Sequence, residues 1–214
     1  MARGKLITIE GIDGAGKTTL ALALVGVLEA YNVEATLLRE PGGVKAAELI
    51  RALVKDPELR IGARAEALLY AAARAQLVEE AIEPLLAQGK HVLLDRFVDS
   101  SLAYQGAGRE LGIDAVRAIN EFATRSLTPD LTLLLHVDPD LGRRRSLRRA
   151  ASPDRLEREQ DHFFERTAAA YAELAAAAPQ RIRMIDATRS AESVLDQALA
   201  AIHEVLGEAK DQSG

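Results

Sequence analysis

Short β-rich runs recur along the chain, and helical patterns fill the stretches between them. The runs are "KLITIE" (5–10), "ATLLRE" (35–40), "HVLLD" (91–95), "LTLLLHV" (131–137) and "RIRMID" (181–186). The middle three are almost continuously apolar, which predicts strands covered on both faces. Helical patterns span 17–31, 44–55, 63–88, 112–126, 139–149, 157–177 and 190–207. Gly89 and Pro129 read as stop signals ahead of the third and fourth strands, and Pro84 is expected to bend or end a turn of the long helix. Strands alternating with helices predict an α/β fold: a parallel, doubly wound sheet of five strands with helices on both faces.

The bulk numbers narrow this picture. A chain of 214 residues suits one domain over 1–214, and the polar last residues 208–214 are expected to fray. Apolar residues at 48% and charged residues at 28% fit a soluble globular protein. No window of 18 apolar residues predicts a membrane span, and the first strand begins too early for a removable leader. Zero cysteines exclude disulfides and thiolate metal sites, so a cytoplasmic protein is expected. The net charge of −5 argues against general nucleic-acid binding. One stretch runs against that acidity: 143–158, "RRRSLRRAASPDRLER", holds seven arginines. A solvated helix face would explain several of them, and a clamp over phosphates would explain their density.

The phosphate reading comes from "GIDGAGKTT", which follows the first strand and opens the first helix. Gly11, Ile12, Asp13, Gly14, Ala15, Gly16, Lys17, Thr18 and Thr19 form a phosphate-binding loop, whose glycines turn backbone N–H groups inward at a helix N-terminus. Lys17 is expected to neutralise the β- and γ-phosphates and Thr18 to ligate Mg²⁺. Asp95 closes the third strand at the sheet edge where α/β proteins bind ligands, so it is a candidate second metal residue. Arg96 beside it could hold a phosphate, although a strand-end salt bridge would also account for the pair. "REPGG" (39–43) turns sharply at the same edge. Tyr70 and Arg74 share one helical face, as in any packed helix with a snorkelling arginine. "VDSSLAYQGAGRE" brings Ser101, Tyr104 and Gln105 on a loop or short helix.

Taken in order, the P-loop, "REPGG", "YAAARAQ", "DRF…SSLAYQG", "PDLTLLLHVDP" and "DRLE…FFERT…Y" resemble bacterial thymidylate (dTMP) kinases from about residue 5 to 190. That resemblance implies a P-loop nucleoside monophosphate kinase with an arginine-rich lid at about 143–158, ATP and dTMP as substrates, Mg²⁺ as cofactor, and a homodimer. It implies that Glu40 and Pro41 shape the monophosphate pocket and that Arg51 and Arg96 hold the acceptor phosphate. Tyr70 would stack on thymine, Arg74 and Gln105 would read the base edge with Ser101 nearby, and Tyr104 would sit beneath the deoxyribose. Asp13 would lie near the sugar 3′-hydroxyl and the metal.

Within the family, some members carry a basic residue in the P-loop that reaches the transferring phosphoryl group. Gly14 and Ala15 stand there in this chain, so the charge must come from the lid, with Arg149 and Arg155 as candidates and Glu157 steadying it. The expected reaction is transfer of the γ-phosphoryl group of ATP to dTMP, giving ADP and dTDP. Two other readings stay open at this point: a P-loop phosphotransferase for another nucleotide or nucleoside, and a non-catalytic nucleotide-binding module. A substrate panel separates the first, and magnesium-dependent diphosphate formation excludes the second.

Overall fold

A computed structural model describes residues 2–149, 155–156 and 159–207, with Leu147 and Arg149 in backbone only. The expected tail at 208–214, and residues 150–154 and 157–158 of the expected lid, lie outside the described residues. The strands are β1 (Leu6–Glu10), β2 (Ala35–Arg39), β3 (His91–Asp95), β4 (Leu131–His136) and β5 (Ile182–Asp186), all parallel in the order β2-β3-β1-β4-β5. The helices are α1 (Lys17–Ala30), α2 (Lys45–Lys55), α3 (Ala63–Leu77), α4 (Glu83–Ala87), α5 (Val98–Ser101), α6 (Ile113–Thr124), α7 (Pro139–Arg149), α8 (Asp161–Ala177) and α9 (Ala191–Leu206). The sheet is apolar on both faces because neighbouring residues of one strand enter different cores. Ile7, Ile9 and Leu93 pack with Leu20 and Leu24 of α1 and Ile202 of α9, whereas Leu6, Val92 and Leu94 pack with Leu77, Ile82 and Leu86. Each such aliphatic side chain contributes about 1.5–3 kcal/mol on burial.

Three expectations need correction. β2 is a half-buried edge strand, not one covered on both faces, because it pairs only with β3; the fully buried strand is β1 at the centre. The long helix 63–88 is interrupted by a π-helical turn, Val78–Ile82, before α4 restarts with Pro84 in its first turn. Proline lacks an N–H and crowds the preceding turn, and a wider turn ahead of it relieves both problems. The helix predicted from 157 begins at Asp161. The stretch 98–108, read as a loop or short helix, is the short helix α5 followed by a π-helical turn, Leu102–Gly108.

Candidate active site

The strand order puts the C-terminal ends of β1, β2 and β3 side by side, and parallel register sets Ile9 against Asp95 and Arg39 against Asp95. The P-loop leaves β1 at that edge. Gly16 caps α1 at φ +101°, with nothing within 4 Å of where a side chain would begin. It is glycine for its backbone, and the space beside it stays open. Gly14 abuts the carbonyl of Gly142 in α7, so a side chain there would force the loop and α7 apart.

Lys17 is buried, and its Nζ donates to the carbonyls of Gly11 (3.0 Å) and Ile12 (2.9 Å). Burial lowers its pKa to about 8, Arg96 pushes the same way, and Asp13, Asp95 and Glu10 oppose them. A desolvated ammonium of this kind gains strongly from an arriving phosphate. Thr18 and Thr19 are exposed on the first turn of α1, and Thr18 Oγ1 donates to Asp95 Oδ2 at 2.9 Å. This pairing puts a hydroxyl and a carboxylate together, the hard oxygen donors Mg²⁺ prefers. No cluster of three or more acidic or histidine ligands occurs among the described residues.

Arg96 has left-handed backbone, φ +72°, and its guanidinium binds Gly11 O (3.1 Å), Asp13 Oδ1 (2.6 Å), Ser100 Oγ (3.1 Å) and Tyr104 OH (3.2 Å). Tyr104 OH in turn donates to Asp13 Oδ2 at 3.0 Å. Burial alone would raise the Asp13 carboxyl, but the Arg96 and Lys17 charges and these hydrogen bonds outweigh it and hold the pKa at about 2. Asp13 is therefore a fixed anion and a poor proton acceptor. Behind Arg96, Glu10 is wholly buried and accepts from Phe97 N, Ser100 N, Ser100 Oγ and Tyr171 OH.

A cavity of about 680 Å³ runs from Lys17, Thr18, Asp95 and Arg96 to Glu40, Pro41, Arg51, Tyr70, Arg74, Ser101, Tyr104 and Gln105. Asp13, Lys17 and Thr18 of the P-loop thus share one space with the residues expected around a monophosphate, whereas Gly11, Ile12, Gly14, Ala15, Gly16 and Thr19 do not line it. Arg51 donates to Pro41 O at 2.8 Å. Arg74 is almost fully buried, and every nitrogen of its guanidinium is committed: Nε to Glu40 Oε2 (2.7 Å), Nη1 to Ser101 Oγ (2.8 Å) and Asn120 Oδ1, Nη2 to Phe97 O (2.8 Å) and Glu40. Burial pushes the Glu40 carboxyl up to about 7 despite Arg74, and its Oε1 has no partner among the described residues.

The lid arginines separate into two groups. Arg143 pairs with Asp161 and lies 5.8 Å from the Phe164 ring, and Arg145 donates to Ala187 O at 3.1 Å. Arg155 is bound to α2 and α3, with Nε on Val54 O (3.0 Å) and Nη2 2.6 Å from Glu66 Oε2. The Arg149 side chain and Glu157 lie outside the described residues. Sequence reasoning passed over Glu10, Glu66 and Asn120. Glu10 carried a signal, an acid ending an otherwise apolar strand beside the P-loop; Glu66 and Asn120 look like ordinary helix-surface residues.

Known proteins resemble this chain over nearly its whole length. The sequence matches the family model described as thymidylate kinase over residues 9–198. It is 49% identical to the thymidylate kinase of Oenococcus oeni, covering 96% of this chain and 98% of that one. It is 46% identical to that of Deinococcus radiodurans, covering 95% and 98%. The crystal structure of thymidylate kinase from Ehrlichia chaffeensis superposes with a TM-score of 0.75 at 28% identity, covering 94% of this chain and 99% of that one. With a matching family model over most of its length and close relatives aligned end to end, the chain belongs to the thymidylate kinase family.

Proposed function

We propose that this protein transfers the γ-phosphoryl group of ATP to dTMP, giving ADP and dTDP for dTTP synthesis. The observation that carries this is the continuous cavity that joins Asp13, Lys17 and Thr18 of the P-loop to the Tyr70–Gln105 end, so that an acceptor bound there faces the loop. Lys17 and the loop amides bind the ATP phosphates. Arg96 and Arg51 receive the acceptor phosphate, Tyr70 stacks on the base, and Tyr104 lies under the deoxyribose. Glu40 and Pro41 form the wall between them. Arg74 braces Ser101, Asn120 and Glu40, and it reaches the base edge only by exchanging one of those partners.

Thr18 and Asp95 would hold Mg²⁺, which neutralises charge on the phosphates when bound. The acceptor phosphate is ionised at neutral pH, so no general base is required, and Asp13 at about pKa 2 serves to orient Arg96 and Tyr104. Catalysis then consists of aligning two anions and cancelling their repulsion. The remaining charge comes from the lid, with Arg149 ahead of Arg155 because Arg155 is engaged on Glu66. Exposed Leu68 and Phe122 on α3 and α6 support a homodimer packed through these helices, and a cytoplasmic setting fits the absence of any spanning helix among the described residues. The test is a panel of dTMP, dUMP, AMP, CMP and thymidine with ATP and Mg²⁺. Formation of dTDP above all other products is expected; a folded protein that makes none, or that favours AMP, overturns the reading.

A further inference from the structure

Glu66 sits in the first turn of α3 with 0% exposure, a costly location for a carboxylate unless donors surround it. Its neighbours are all donors. Gln105 Nε2 donates to Oε1 at 2.9 Å, Arg109 donates to both oxygens at 3.2 and 3.0 Å, and Arg155 Nη2 is ion-paired 2.6 Å from Oε2 without hydrogen-bond geometry. A carboxylate facing two guanidinium groups only accepts hydrogen bonds. The Gln105 side chain must therefore turn its NH₂ toward Glu66, because the flipped amide would set carbonyl oxygen against carboxylate oxygen. Its own carbonyl Oε1 then takes the opposite side, where it accepts no hydrogen bond among the described residues. Gln105 lines the cavity beside Arg74, whose nitrogens are already committed.

We propose that Glu66 is a positioning residue that sets the hydrogen-bond sense of the base pocket, locking Gln105 so that it presents an acceptor. Such a pocket demands an N–H on the facing base edge, as at N3 of thymine or uracil. It rejects a cytosine-type base, whose N3 is itself an acceptor and leaves Gln105 Oε1 opposed and unpaired. The inference rests on the proposed monophosphate site but not on turnover. Discrimination therefore comes from a buried acid that need not touch the nucleotide.

The experiment compares dTMP with 5-methyl-dCMP, which has nearly the same shape but reverses N3 and the group at C4. Calorimetric Kd values are measured for both, alongside kcat/KM with ATP and Mg²⁺. Wild type is expected to prefer dTMP by at least about a hundredfold. In Glu66→Gln the amide oxygen keeps the Oε2 place between Arg109 Nη2 and Arg155, and its NH₂ takes the Oε1 place, where it gives up the contact from Arg109 Nε and faces Gln105, which can then flip; the preference should fall at least about tenfold. Glu66→Asp keeps the charge but withdraws it from Gln105, and should lower the preference less. In a Gln105→Ala background, Glu66→Gln should change the ratio no further. A merely structural role would weaken both nucleotides equally, so an unchanged ratio in either folded variant overturns the proposal. Wild-type binding blind to the two bases also overturns it. Base discrimination without dTDP formation would instead defeat the proposed reaction and leave Glu66 in its role.

Discussion

Lys17 is the residue at which folding and chemistry pull against each other. Burial lowers its pKa to about 8 from 10.5, so the unfolded chain holds a proton that the folded chain gives up in between. The cost of burying the charge is full below pH 8 and is relieved as pH rises toward 10.5. ATP reverses this, since its phosphates favour the ammonium. At about pH 9, ATP binding should therefore take up about one proton, and at about pH 6.5 almost none. Calorimetry in buffers of different ionisation enthalpy measures the uptake, and Lys17→Met should abolish it. The same variant should stay folded while turnover collapses; near-normal turnover would rule out the phosphate role. The place of Lys17 at the head of α1 was legible from the loop motif, because glycine spacing and helix position are local. The Arg96–Asp13–Tyr104 triangle was not, since it joins residues 83 and 91 positions apart.

At the scale of elements, α7 bears directly on the P-loop. A side chain at Gly142 would start 2.9 Å from Asp13 O and 2.8 Å from Ile12 Cδ1. Gly142→Ala keeps helical backbone, so it tests this contact by sterics alone. Overpacking of this kind costs about 1–3 kcal/mol, and the strain falls on the loop carrying Asp13. A lower melting temperature together with a raised KM for ATP is expected. Unchanged values of both would mean that α7 moves freely against the loop. The element pattern itself was largely readable: the five strands and most helices stand where periodicity predicts them. The misses have two causes. Hydrophobic runs report that a strand is covered, but the pairing order decides which strand is at the edge, and π-helical turns at 78–82 and 102–108 shift the helical phase that periodicity assumes.

Across the whole molecule, the proposed reaction asks the lid to bring charge that Gly14 and Ala15 do not supply. A group acting mainly in the transition state lowers kcat when removed and changes KM little. Arg149→Ala should cut kcat by roughly 10³-fold or more, in the range of arginine fingers, with modest KM changes. Single-turnover assays check this, and an undiminished chemical step would remove Arg149 from catalysis. Arg155→Ala should behave differently. It strips one cation from buried Glu66, so dTMP binding should weaken more than kcat falls, and equal kcat losses in both variants would contradict the division.

What the sequence determined by itself was everything that local spacing can encode. That covers the phosphate loop with its Lys17 and Thr18, the α/β alternation, and the succession of motifs that identifies the family. Tertiary structure alone decided which donors and acceptors remain free once the chain has folded. Arg74 reads as a base-binding arginine, yet burial commits its guanidinium to Glu40, Ser101, Asn120 and Phe97 O. Glu66 reads as a surface acid, yet the packing of α3 against the turn bearing Gln105 buries it as the acceptor for the Gln105 amide. A hydrogen bond is a property of a pair, and in this site most pairs join residues tens of positions apart, which no periodicity along the chain can show.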